Sequence, residues 1–134
     1  MISIQQLLGC NYNRDGSSPE DGFNCYTLAS YVRRNLYGLD TPVLAMEGFS
    51  ADWAEASFRE RQSDWEITTS PVAGDLVVMR VSFRKFWHHC GVWLETDQVL
   101  HAYEGPNGFG SITASKLPAL QRVFAEIGFA RWQH

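Results

Sequence analysis

The spacing of apolar positions changes midway along the chain. Cys25, Leu28, Ala29, Val32 and Leu36 recur at i, i+3, i+4, i+7 and i+11. That period predicts an amphipathic helix with one buried face. Asn24 stands where an N-cap belongs, Gly38 where a helix stops, and Pro42 lies beyond it. Residues 2–9 predict a shorter helix with Ile4, Leu7 and Leu8 inward, and residues 50–62 a further helix capped by Ser50. "GCNYNRDGSSPEDG" is a loop by its Gly, Pro and Asx content, while "RR" and "RERQ" read as solvated helix faces. In the second half, "GDLVVMRVSF", "CGVWLE" and "QVLHAYE" are short β-branched and aromatic runs, the mark of strands. "ETDQ" between the last two predicts a tight hairpin. A short helix near 114–121 and a final strand near 123–132 complete the chain. Helices first and an antiparallel sheet after them make an α+β layout.

Composition narrows the class. The 134 residues suffice for one ordinary core, and residues 1–134 read as a single domain. At 45% apolar and 19% charged, the chain is globular; 13% aromatic content with five Trp calls for a groove or interface beside the core. A net charge of -4 without any Lys/Arg-rich run argues against nucleic acid as a partner. No stretch approaches the ~18–20 apolar residues that cross a membrane. "MISIQQLLGC" lacks the basic start and apolar run of a secretory signal, so synthesis in the cytoplasm and delivery by other machinery are expected. Cys10, Cys25 and Cys90 are odd in number and unpaired in spacing, and read as reduced thiols.

Cys25 carries the chemical question. On an apolar stripe it reads as a small core residue. In the first turn of a helix it also lies at the positive end of the helix dipole, which lowers a thiol pKa and favours the nucleophilic thiolate. Such a nucleophile wants a base, and the base an orienting group. The candidates are His88, His89, His101 and the terminal His134. With a tight turn at 96–97, position 92 faces 101; a turn one or two residues longer brings His89 toward direct opposition with His101. Adjacent residues point to opposite faces, so only one of His88 and His89 shares a face with His101, and alternation leaves the choice open. Trp87, beside the two histidines, reads as core or as a site wall, and Trp93, mid-strand, as core. Cys90 reads as a small apolar residue pointing inward. Zinc-ligand spacing is lacking, so neither metal nor organic cofactor is expected.

Two blocks, "LLGCNYNRDGSSPEDGFNCYTLASYVRRNLYGLDTP" and "AGDLVVMR…HHCGVWLETDQVLHAYEG", together resemble the NlpC/P60 family of cell-wall cysteine peptidases over about residues 5–104. The Cys-Tyr-Thr-Leu helix start and Leu-Asp-Thr-Pro ending are closest to phage tail-associated members. The resemblance implies a papain-like α+β core with the Cys helix packed on an antiparallel sheet. It implies Cys25 as nucleophile, His89 in His-Cys-Gly-Val-Trp as general base, and His101 in Leu-His-Ala as the group orienting it. Tyr12 matches the loop tyrosine that meets substrate, and Asn24, Tyr26, Trp87 and His88 are the other expected substrate contacts. Where the family carries Asp-Cys-Ser-Gly, this chain has Asn24-Cys25-Tyr26-Thr27, which bears on how a free amino end of the stem peptide is held. The implied activity is cleavage of an amide in a peptidoglycan stem peptide at the cell wall, with phage-tail or secretion-apparatus proteins as delivery partners. A secretion-delivered amidase toxin, an acyltransferase and a non-catalytic assembly module are the alternatives.

Overall fold

A computed structural model describes residues 3–41, 50–104 and 110–132. Pro42 and His134 lie outside them. The order is α1 (Ile4–Leu7), β1 (Ser17–Ser18), β2 (Gly22–Phe23), α2 (Cys25–Tyr37), α3 (Ala51–Glu60), β3 (Trp65–Thr68), β4 (Leu76–Arg80), β5 (His89–Trp93), β6 (Gln98–Glu104), β7 (Gly110–Lys116), α4 (Leu117–Gln121) and β8 (Glu126–Trp132). Strands β3–β8 form one antiparallel sheet in the order β3-β8-β4-β5-β6-β7, and β1 pairs with β2 apart from it. The α+β architecture of helices on an antiparallel sheet is the expected one.

Alternation along the strands sorts two cores. Leu76, Val78, Cys90, Val92, Leu100, Ala102 and Ala130 face the helices and bury the α2 stripe of Cys25, Leu28, Ala29 and Val32. Val77, Met79, Trp93 and Val99 point the other way, onto Leu120 of α4 and Phe124 just after it. Trp93 meets Phe129 edge-on at 5.4 Å and is core, as its mid-strand place predicts. Burying one such aliphatic side chain contributes about 1.5–3 kcal/mol, so both faces hold the sheet in register.

Both ends of α2 follow their local sequence. Asn24 caps the start, and at the far end Gly38 turns left-handed (φ 63°) while the Leu39 and Gly38 N–H groups donate to the Arg33 and Arg34 carbonyls. Ser50 caps α3 as expected.

Several expectations need correction. Leu8 is 40% exposed, because α1 ends at Leu7; Leu7 is buried and Ile4 packs against the core, as expected. Of the "RR" pair, Arg34 is solvated but Arg33 is buried, its guanidinium donating to Thr41 Oγ1 and to the Gly74 and Asp40 carbonyls and lying over the Trp65 ring. A helix-borne Arg can enter a core when carbonyls beyond the helix receive its donors. Residues 114–116 continue strand β7, and α4 begins at Leu117, where Pro118 suits the first turn. Strand β3 and the body of β7 carried no strand signal, being short or rich in Ser and Gly.

The β5–β6 turn decides the register. Leu94 N–H donates to the Gln98 carbonyl at 2.9 Å, and Asp97, with φ 59°, closes a loop of three residues rather than two. The Asp97 N–H also donates to the Leu94 carbonyl at 3.1 Å, and a left-handed last residue is what three-residue hairpin loops commonly use. Val92 therefore pairs with Leu100 and Trp93 with Val99. Continued one step, Gly91 stands opposite His101. A tight turn would have placed His88 on the face of His101; the longer one places His89 there, since a one-residue change in register exchanges faces.

Candidate active site

The site grows from the cap of α2. Asn24 Oδ1 accepts the N–H groups of Tyr26 (3.0 Å) and Thr27 (2.9 Å), while its Nδ2 donates to the Arg14 carbonyl at 2.8 Å. Thr27 Oγ1 donates to the Gly16 carbonyl at 2.7 Å. The glycine-rich loop and the helix mouth are thus one hydrogen-bonded unit, and a Cβ on Gly16 would lie 2.2 Å from the Gly22 carbonyl oxygen. Cys25 follows as the first helical residue, buried, with a backbone N–H that the cap does not take.

Its thiol is held well below the ordinary cysteine pKa. The largest cause is a hydrogen bond from Cys90; burial opposes it, and a hydrogen bond and charge from His89 reinforce it. Cys90 itself is pushed upward, first by burial and then by Cys25, so it stays a thiol and donor. Cys90 Sγ also donates to the Cys25 carbonyl at 3.4 Å. Its inward direction agrees with the sequence reading, but its partnership with Cys25 does not follow from spacing: it joins residues 65 apart in the chain.

His89 Nε2 meets His101 Nδ1 at 2.9 Å, the rings crossing edge-on at 78°. The other face of His89 stacks on Phe124 with centroids 5.5 Å apart and planes 7° from parallel. With Nε2 engaged, Nδ1 is the His89 nitrogen left for the thiol. His101 is buried, and that burial, with the charge of His89, pushes its pKa down to about 3. It stays neutral at ordinary pH. Its Nε2 lies 3.1 Å from Ser115 Oγ.

Gly91 makes this approach possible. A Cβ there would fall 2.6 Å from the Leu100 carbonyl oxygen and 3.0 Å from His101 Cβ. A glycine inside a strand signals close backbone approach, so it was legible in "HHCGVW".

A cavity of about 250 Å³ opens onto Cys25 and His89, with Tyr12, His88, Phe83 and Tyr103 among its walls. Tyr12 is brought there by a loop whose backbone is pinned on two sides: Tyr12 N–H donates to the Gly110 carbonyl at 3.0 Å and Tyr12 bridges Phe23. The arrangement provides a thiol held toward thiolate, an imidazole beside it and a second, neutral imidazole behind, the requirements of nucleophilic acyl chemistry.

The NlpC/P60 family model matches residues 9–117. The chain belongs to the NlpC/P60 family. No curated protein matches it in sequence. Among solved structures, the NlpC/p60 domain of the peptidoglycan hydrolase SagA is similar, with a TM-score of 0.58 and 20% identity over 95% of this chain and 92% of that one. A protein described as similar to a lipoprotein of the NLP/P60 family, from Staphylococcus aureus subsp. aureus Mu50, gives a TM-score of 0.57 and 22% identity over 96% of this chain. The chain spans 38% of that staphylococcal protein's length. At these identities the likeness is one of fold, the papain-like α+β core of NlpC/P60 domains.

Against this NlpC/P60 frame, the expected site residues divide. Cys25, His89, His101, Tyr12 and His88 come together at or directly behind the cavity. His88 turns its Nε2 away to accept the Val81 N–H at 3.1 Å, and its pKa falls to about 4, chiefly through burial and then the charge of His89. Three expected substrate contacts stand elsewhere. Asn24 is wholly buried, with its side chain committed to the cap and to Arg14. Tyr26 is buried against Trp53 and Phe58, because the second helical residue rotates under α3. Trp87 packs near Gly128 and lines a separate cavity with Phe58, Trp65 and Phe86.

Proposed function

We propose that this NlpC/P60 domain is a peptidoglycan hydrolase that cleaves an amide of a stem peptide, the whole chain acting as one catalytic domain. The observation that carries the reading is a depressed Cys25 thiol sharing one cavity with His89, whose ring is hydrogen-bonded at 2.9 Å to His101 behind it. In this mechanism the Cys25 thiolate attacks the amide carbonyl, and the tetrahedral oxyanion collects the N–H of Cys25 at the helix mouth. His89, carrying the proton from the thiol, delivers it to the departing amine. Water, deprotonated by His89, then hydrolyses the thioester. His101 holds the His89 ring in place by accepting from its Nε2. The SagA domain, named as part of a peptidoglycan hydrolase, supports the choice of substrate. Tail-borne delivery to the cell wall is the part of the proposal that rests on the Cys-Tyr-Thr-Leu and Leu-Asp-Thr-Pro resemblance alone.

The test is digestion of purified muropeptides, followed by mass spectrometry and amine counting. Wild-type protein should release new amino ends, and Cys25→Ala should lower the rate by about 10³-fold or more. Equal release by the variant, or none by the wild type, overturns the reading.

One observation favours acyl transfer as a second reading. Phe83 (84% exposed), Val123 (54%) and Tyr103 (46%) leave an apolar rim around the cavity mouth, suited to an apolar acyl group or acceptor amine. Transfer to an added alkylamine in competition with water would establish it; hydrolysis unaffected by amine excludes it.

A further inference from the structure

His101 has partners on both sides of its ring, and only the one on its Nδ1 side belongs to the mechanism above. On its Nδ1 side is His89 Nε2; on its Nε2 side are two hydroxyls of β7, Ser115 Oγ at 3.1 Å and Thr113 Oγ1 at 3.5 Å. The register explains their presence. Thr113 pairs directly with His101 and Ser115 with Val99, so alternation puts both hydroxyls on the face that carries His101. They line a second cavity, about 350 Å³, behind the histidines.

The chemistry of a neutral imidazole makes this position consequential. Such a ring has one N–H and one lone pair. When His89 holds a proton at Nδ1, its Nε2 also carries hydrogen, and His101 must present a lone pair at Nδ1. The His101 proton then sits on Nε2 and needs an acceptor. The opposite tautomer would set two N–H groups against each other across 2.9 Å.

We infer that Ser115 is a positioning residue, which accepts the Nε2–H of His101 and so holds His101 in the tautomer that receives the proton-bearing edge of His89. Thr113 is the longer-range second acceptor. The hydroxyl is neutral, so it selects the tautomer without adding charge to a buried ring. The low pKa of His101 agrees, because a ring that stays neutral has a tautomer to select. The catalytic part of the inference rests on the Cys25–His89–His101 reading; the tautomer does not.

The test begins with ¹⁵N imidazole spectra of the full chain near neutral pH. His101 should be the Nε2–H tautomer, and Ser115→Ala with Thr113→Val should shift it toward a mixture. A wild-type His101 in the Nδ1–H form, or a tautomer indifferent to both substitutions, overturns the inference. The second readout is the pH profile of Cys25 alkylation by iodoacetamide. Ser115→Ala should slow labelling at pH ~6.5 about fivefold, the effect of one neutral hydrogen bond, with Ser115→Thr restoring it. Superimposed profiles for wild type, Ser115→Ala and the double variant, all fast, overturn the positioning role while leaving the triad intact. A correct tautomer beside a Cys25 that labels no faster than Cys10 keeps the hydroxyl assignment and removes the triad reading instead.

Discussion

At the start of α2, the residues that cap the helix carrying Cys25 are its sequence neighbours: Asn24 before it and Thr27 two places on, closed by hydrogen bonds of 2.9–3.0 Å. At the β5–β6 hairpin, His89 and His101 are twelve residues apart and meet only because a three-residue turn and a side-chain-free Gly91 allow it. The helix mouth is specified by a short-range pattern and needs only a packed stripe to hold it. The histidine pair depends on a register shared among β5, β6 and β7. A local change at the cap should therefore cost stability while leaving the site's design intact, whereas a change of one atom in the ladder should separate the histidines.

The largest effect is expected at Gly91. Gly91→Val must move the Leu100 carbonyl or His101, and should cost about 3 kcal/mol or more; Gly91→Ala should cost about 1–3 kcal/mol, the range of overpacked cores. Urea unfolding would measure both, and in each the rapid labelling of Cys25 should vanish. A folded Gly91→Ala with unchanged labelling would mean that the close approach does not matter to the site.

Acid should weaken the histidine side of the comparison. His101 and His88 have pKa values near 3 and 4, below the ordinary 6.5, so the unfolded chain binds protons that the folded chain refuses. Their neutral forms contribute fully above pH 6.5, and stability falls as pH drops from there toward 3. Urea midpoints at pH 7 and 4.5 should show this fall, with a shallower slope in His101→Asn. An equal slope in that variant would place the acid sensitivity elsewhere.

Asn24→Ala removes the cap and should cost about 1–2 kcal/mol, with Cys25 still reactive in the folded fraction. A thermal melt paired with labelling separates the two effects; loss of reactivity without loss of stability would give Asn24 a role beyond the cap.

The smallest effect is expected at Cys90. Cys90→Ala removes the thiol beside Cys25 and should raise the pKa of Cys25, slowing its alkylation at pH ~6.5 several-fold, as expected for a weak donor. An unchanged pH profile would leave the low thiol pKa to His89 and the helix mouth.

Helices α2 and α3 with their N-caps, the alternation of β4 to β6 and the α+β class were legible, because each is written in spacings of a few residues. So was the nucleophile's place, since a Cys after an Asn cap at the head of an apolar stripe is a local pattern. The resemblance added the pairing of Cys25 with His89 and His101, which alternation alone left open. Arg33 escaped because the carbonyls that bury it come from Asp40 and Gly74, beyond its own helix. Ser115 and Thr113 escaped because "GSITASK" looks like a polar loop until β6 pairs with it. The placing of Trp87 and Tyr26 away from the cavity was likewise decided by neighbours distant in sequence: Gly128 for the first, Trp53 and Phe58 for the second. The sequence by itself determined the long helices, the strands β4 to β6 and the candidate nucleophile, through periodicity and capping. Only the tertiary structure decided which histidine faces His101, what stands behind it and which aromatics are core, because a period-2 pattern leaves the register free until a turn and two packed faces choose it.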